Sequence, residues 1–182
     1  VSWTTFPTLT DGQILTGAHM QLVRDNFAET APAKATAAGQ IPVSTGANSI
    51  AMRVPTSAHL STSDTTTTVA TFGDLSSTVG PAVTVTTGTQ ALVIYTSYMA
   101  NSASIGGALM SYAVSGASTI AASLTNAARQ VAGAATGSSE RWSTVSFQSG
   151  LTPGSNTFTT KYTTATGGTA SFFERELTVI PL

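Results

Sequence analysis

The side chains in this sequence that could do acid–base, nucleophilic or metal chemistry are few and widely scattered. His19 and His59 have no i, i+4 spacing and no carboxylate in a zinc pattern beside them, so they read as solvated or interface residues rather than metal ligands. No cysteine is present, which removes thiolate metal sites, iron–sulfur clusters, disulfides and cysteine nucleophiles together. Serine is abundant, yet no Gly-x-Ser-x-Gly elbow occurs, and neither a Walker A loop nor a GxGxxG turn is present to cradle phosphate.

One close pair of carboxylates remains, Glu174 and Glu176 in the run Phe172-Phe173-Glu174-Arg175-Glu176-Leu177. On a strand a spacing of two puts both on one face and Arg175 on the other. A glycosidase needs two carboxyls flanking a sugar, usually from different strands, so this pair reads as a solvated face or as ion-pair partners for Arg129, Arg141 or Lys161. Lys161 lies near Asn156 in sequence, the residue types of the isopeptide bonds in Thr-rich wall adhesins, but its expected role is an exposed lysine guarding a strand edge. Trp142 alternates with Thr144 and Ser146 and is expected in the core or a subunit interface rather than as a sugar platform. No catalytic, cofactor-binding or metal residues are therefore assigned: the chain is expected not to be an enzyme and to need no cofactor.

Composition points the same way. Lys, Arg, Asp and Glu make only 8% of the 182 residues, with net charge −1, against about 25% in ordinary soluble domains. Hydroxyls take their place, with 34 Thr and 22 Ser. Such a chain has no field to draw it onto a phosphate backbone or anionic lipid, so neither nucleic acid nor membrane is an expected partner. Its apolar runs, such as Ala91-Leu92-Val93-Ile94-Tyr95, are far shorter than the ~20 residues of a membrane helix. The opening Val1-Ser2-Trp3-Thr4-Thr5-Phe6-Pro7 lacks the basic region and continuous apolar core of a signal peptide.

Three segments must position these residues. In residues 1–30, Thr16 is a fitting N-cap for a helix over about Gly17 to Glu29, and Met20, Val23 and Phe27 fall on one stripe of it. A helix this short is marginal in water, so the stripe calls for a partner surface. Residues 31–68 read as an extended connector broken by Pro32, Pro42 and Pro55, with a small hairpin formed by Gln40–Val43 and Ser49–Arg53 around Thr45-Gly46-Ala47-Asn48. Residues 69–182 read as all β. Strands are expected at Thr67–Phe72, Ala82–Thr86, Gln90–Ala100, Gly107–Ser115, Thr119–Leu124, Gln130–Ala132, Glu140–Gln148, Asn156–Thr164 and Ser171–Pro181. With turn chemistry between them and no helical pattern, they predict an antiparallel β-sandwich or jelly roll.

The segment Ser2-Trp3-Thr4-Thr5-Phe6-Pro7, Gly12-Gln13-Ile14-Leu15-Thr16-Gly17-Ala18-His19-Met20 and Val23-Arg24-Asp25-Asn26-Phe27 resembles the N-terminal part of small virion proteins of tailed bacteriophages, especially those of actinobacteria. Gly39-Gln40-Ile41-Pro42-Val43-Ser44-Thr45-Gly46-Ala47-Asn48 matches the Thr-Gly-Ala-Asn element that follows there. The resemblance covers about the first third of the chain, and its β region looks like the trimeric jelly-roll knobs of phage fibres and head decorations. It implies a capsid decoration or head-fibre protein on the phage head surface, a homo-oligomer, specifically a trimer, partnered by the major capsid protein or another virion protein. The docking residues would be Trp3, Phe6, Met20, Val23, Arg24 and Phe27. The alternatives are a tail-fibre or minor-tail receptor-binding protein and, third, a wall-associated adhesin or carbohydrate-binding module.

Overall fold

The computed structural model describes residues 4–8, 10–103, 106–130 and 138–182. They divide into two compact units, one of the residues up to Val54 together with Leu182, the other Pro55–Pro181.

In the N-terminal unit, helix α1 (Gly17–Ala28) starts at the expected Thr16 and stops at Glu29, where the Glu29 N–H donates to the Asn26 carbonyl and the Thr30 N–H to the Phe27 carbonyl. A short helix α2 (Ala31–Lys34) follows, tied back by a 2.7 Å ion pair between Lys34 and Glu29. Strands β1 (Ile41–Gly46) and β2 (Ser49–Arg53) then form the expected hairpin. Its tip needs a left-handed residue, supplied by Asn48 at φ 56°. A two-stranded ribbon is marginal alone, and α2 lies against β2.

The second unit is mainly β and is a jelly roll. Its strands are β3 (Thr56–Leu60), β4 (Asp64–Thr66), β5 (Ala82–Thr87), β6 (Gln90–Asn101), β7 (Ala108–Gly116), β8 (Ala128–Arg129), β9 (Glu140–Ser149), β10 (Gly154–Thr164) and β11 (Ala170–Pro181). One sheet runs β5-β10-β7-β8 and the other β3-β11-β6-β9, with β4 also pairing β11, and every pair is antiparallel. With β3 and β4 taken as one interrupted strand, chain positions 1-8-3-6 face 2-7-4-5, the jelly-roll winding. Alternation builds the core: Val83, Val85, Tyr112, Val114, Phe158 and Tyr162 from one sheet meet Val93, Tyr95, Met99, Phe172, Leu177 and Val179 from the other. Burying each such side chain contributes about 1.5–3 kcal/mol.

Four expectations are corrected. The connector was to reach residue 68, but β3 and β4 belong to the sandwich, so the division falls between Val54 and Pro55. Threonine-rich strips pair on a sheet as well as they extend, and Ala58 packs on the core. Thr67–Phe72 is not a strand. Ala70 at φ 61° breaks it, and the backbone bonds of Thr68, Ala70 and Gly73 go to Thr164 and Tyr162, along the edge of β10 that β5 leaves free. Thr119–Leu124 is not a strand either. Only Ile120 pairs back, with Val114, while Ser118 and Ser123 bond to Asn156 and Ser111 and a 3-10 turn begins at Leu124. The short strand expected at Gln130–Ala132 lies two residues earlier, at Ala128–Arg129; Val131 and Ala132 fall outside the described residues.

Candidate functional site

Of the candidate docking residues Met20, Val23, Arg24 and Phe27 lie on α1, Phe6 lies in the arm before it, and Trp3 lies outside the described residues. A reciprocal cap fixes the start of the helix. Thr16 Oγ1 accepts from the His19 N–H at 3.4 Å, and His19 Nδ1 accepts from the Thr16 N–H at 3.2 Å. His19 is therefore a capping residue, and Phe6 packs beside its ring with centroids 6.0 Å apart. The Asn26 side chain accepts from the Thr4 N–H and donates to the Thr4 carbonyl, both at 2.9 Å, which ties the preceding arm to the helix. His19, Leu22 and Asn26 thus form the half-buried side of α1. The stripe read from the sequence points elsewhere: Met20, Val23 and Phe27 are 56%, 47% and 68% exposed. Arg24 is exposed too and is held by the Gln21 carbonyl, whose amide donates to Asp25 at 2.6 Å.

Among the described residues the scattered titratable groups lie mostly in separate pairs. Among the described residues, no group of three His, Asp or Glu side chains could hold a metal ion. A β-bulge sorts the Glu-Arg-Glu run: the register of β11 slips between Phe173 and Glu176, and Glu174 takes φ 47°. Glu174 and Glu176 both lie on the outer face, as spacing required, but each has its own partner. His59 Nε2 meets Glu174 at 2.7 Å, and Arg141 meets Glu176 at 3.7 Å. Lys161 pairs with Asp74 at 2.7 Å. Asn156 lies on the opposite face of β10, fully buried, bonded to the Ser118 N–H and to Thr87 Oγ1 at 2.8 Å each, so the isopeptide arrangement is absent. Trp142 faces inward at the sheet edge and donates to Glu140 at 3.1 Å.

The most elaborate polar cluster was not anticipated. Arg175, turned inward behind the bulge, is fully buried. Its Nη2 donates to the Thr62 carbonyl at 2.8 Å, its Nη1 to Thr78 Oγ1 at 3.1 Å, and its guanidinium lies 5.7 Å from the Tyr162 ring centre. Asp64, nearly buried, accepts from the Thr65 and Ser77 N–H groups and from the Ser76 and Thr78 hydroxyls, at 2.8 to 3.0 Å. Burial alone would raise its pKa; these four donors outweigh that and hold the carboxyl well below the usual range. Both charged groups of the cluster are buried and bonded to protein atoms. Its one sequence signal was an aspartate set among serines and threonines.

Burial also pushes the Tyr95, Tyr112 and Tyr162 hydroxyls above the usual phenol range. These rings are core residues and not a ligand platform. Clefts open on both units. One of about 320 Å³ runs between Glu29 and the β1–β2 turn; another, about 240 Å³, lies among Leu109, Leu124, Arg129 and Thr164. Each has a single charged side chain in its lining, so neither brings an acid and a base together.

No protein-family model and no curated protein matches this sequence. Among solved structures the chain is similar to Eiger TNF from S. frugiperda, with TM-score 0.50 and 11% identity over 71% of this chain and 92% of that one. It is also similar to the structure of infectious bursal disease virus, Gx strain, with TM-score 0.46 and 12% identity over 77% of this chain and 36% of that one. At such identity the likeness to Eiger TNF speaks of fold alone, and the fold it supports is the sandwich described above.

Proposed function

We propose that this chain is a non-enzymatic structural protein of a tailed-phage virion, fixed to the head surface by its N-terminal unit and displaying the jelly roll as a trimer. The observation that carries this reading is the open Met20, Val23, Phe27 stripe, on a helix capped at both ends and belonging to a unit separate from the β domain. A helix with a formed structure and an uncovered apolar stripe is built to meet another surface. The likeness of this same segment to phage virion proteins gives that surface a chemistry, a capsid shell or another virion protein. The charge-poor, hydroxyl-rich β domain suits a subunit that is packed and displayed without desolvating ions.

The test is where the protein sits in purified virions and what holds it there. Immunogold labelling should mark heads in many copies. Undecorated heads should bind the full chain but not residues 55–182. Labelling confined to the tail would favour the receptor-binding alternative, and head binding by residues 55–182 would remove the anchoring role of the N-terminal unit.

A further inference from the structure

Strand β6 is apolar on both faces. Ala91, Val93, Tyr95 and Met99 point into the core, while Leu92 and Ile94 point outward. A near-continuous apolar strand is the pattern of one covered on both sides. Register widens the outer patch. Leu92 stands between Phe147 of β9 and Ile180 of β11, and Ile94 between Val145 and Thr178. Val145 and Phe147 are 61% and 57% exposed while Leu92, Ile94 and Ile180 are half-buried, so these two rows are open at their β9 end. Strand β9 is also a ten-residue edge without proline or lysine, the residues that usually blunt an open edge.

We propose that the outer face of β11-β6-β9 is where a second copy of this chain packs, making it the subunit contact of a closed homo-oligomer. Charge and area argue for a copy. The ionic groups beyond the apolar rows are already paired within the chain, His59 with Glu174 and Arg141 with Glu176. These contacts leave no broad field of one sign on the face, so an apolar partner such as a second copy suits it better than one recognised by charge. Three strands, each about 4.8 Å wide and paired over some ten residues at about 3.4 Å each, cover roughly 500 Å² before side-chain relief is added. That approaches the ~800 Å² each partner contributes to a standard interface. The inference supplies the contact an oligomer needs, and it stands on β-domain geometry whether or not the chain belongs to a virion.

The experiment is sedimentation velocity on the full chain at micromolar concentration, with V145E/F147E and, as control, L124E at an exposed leucine elsewhere. Wild type and L124E should sediment as the same oligomer. V145E/F147E should associate about tenfold more weakly or worse, with near-UV dichroism unchanged. Because the chain has no cysteine, F147C offers a second reading that needs no charge in the face: its thiol should react slowly with maleimide in the oligomer and quickly on dilution to monomer. A monomeric wild type overturns the proposal, as does an oligomer indifferent to V145E/F147E. So does an oligomer that falls apart on removal of residues 1–54 while the F147C thiol reacts freely throughout. Absence of the protein from virions would overturn the proposed function and leave this contact untouched.

Discussion

Asp64 and Arg175 form no direct ion pair; the Thr78 hydroxyl stands between them, donating to Asp64 Oδ2 at 2.8 Å and accepting from Arg175 Nη1 at 3.1 Å. Two opposite charges in the β domain are thus joined through a neutral relay. Each has further partners, Asp64 in the Thr65–Ser77 segment and Arg175 in the Thr62 carbonyl. The relay staples the loop before β5 to both β4 and β11.

Removing the relay should cost more than one hydrogen bond. Thr78→Val keeps the shape but leaves Asp64 short of a donor and Arg175 Nη1 short of an acceptor, and Arg175 Nε is already a buried donor without a partner. The expected loss is about 1–3 kcal/mol, read as a lower urea midpoint at unchanged slope. Thr78→Ser, which keeps the hydroxyl, should stay close to wild type. Equal stability of the valine and serine variants would show that the relay carries no weight.

The acid limb of stability should belong in large part to Asp64. Its folded pKa is depressed, so the folded state holds fewer protons than the unfolded chain as pH falls below the ordinary carboxylate value of about 3.9. The contribution is therefore complete above that value and fades as pH drops toward the folded pKa. Asp64→Asn should lower stability at neutral pH and flatten the decline below about pH 4, as measured by urea melts across pH. An unchanged acid slope in the variant would assign the limb to other carboxylates.

Much of this was legible before the fold was known, and the parts that were not share a cause. Regular alternation, as in Thr157–Tyr162, located β5, β6, β7, β9, β10 and β11, because a strand with one buried face writes its period into the sequence. Thr16 announced α1 through capping chemistry. Threonine-rich stretches were the weak point: Thr65–Thr68 and Thr119–Leu124 have the same propensity whether they pair in a ladder or spend their hydroxyls on nearby backbone, and only tertiary partners decide. The inward turn of Arg175 was half legible. Spacing put it opposite the two glutamates, but nothing local said that this side was the core or that Thr78 and Thr62 would meet it.

Alkaline unfolding should expose three phenols at once. Tyr95, Tyr112 and Tyr162 are held protonated by burial above the ordinary value near 10. From that pH upward the folded chain keeps protons the unfolded chain loses, so stability falls as pH rises. Titration followed by phenolate absorbance should show these three of the four tyrosines ionising together, in step with loss of β dichroism. Gradual ionisation of all four before any unfolding would show that the core admits water.

The β domain should fold without the first 54 residues. Its sandwich core is complete within Pro55–Pro181. Residues 55–182 should give one cooperative melt within a few degrees of the full chain, and Phe27→Asp in the full chain should leave that melt unmoved while abolishing binding to undecorated heads. A truncated chain that collapses would mean that the N-terminal unit is part of the core's support.

Decoration and receptor binding part company over what a phage lacking this protein can still do. A glycan site is usually an exposed aromatic beside a few convergent polar groups. Here Tyr95, Tyr112 and Tyr162 are buried, Trp142 is turned inward, Tyr98 is stacked on Phe173 at 5.0 Å with Arg141 over its ring, and the exposed Phe147 stands in an apolar row beside Leu92. The tip of the β1–β2 hairpin, around Ala47 and Asn48, has no aromatic, and neither does the Gly167-Gly168 turn. Particles lacking the protein are therefore expected to adsorb to host cells at the normal rate and to lose infectivity faster than wild type under heat or osmotic shock. The two losses are measured on the same particles, so one preparation decides between them: full heat resistance with failed adsorption would make the jelly roll a receptor-binding knob.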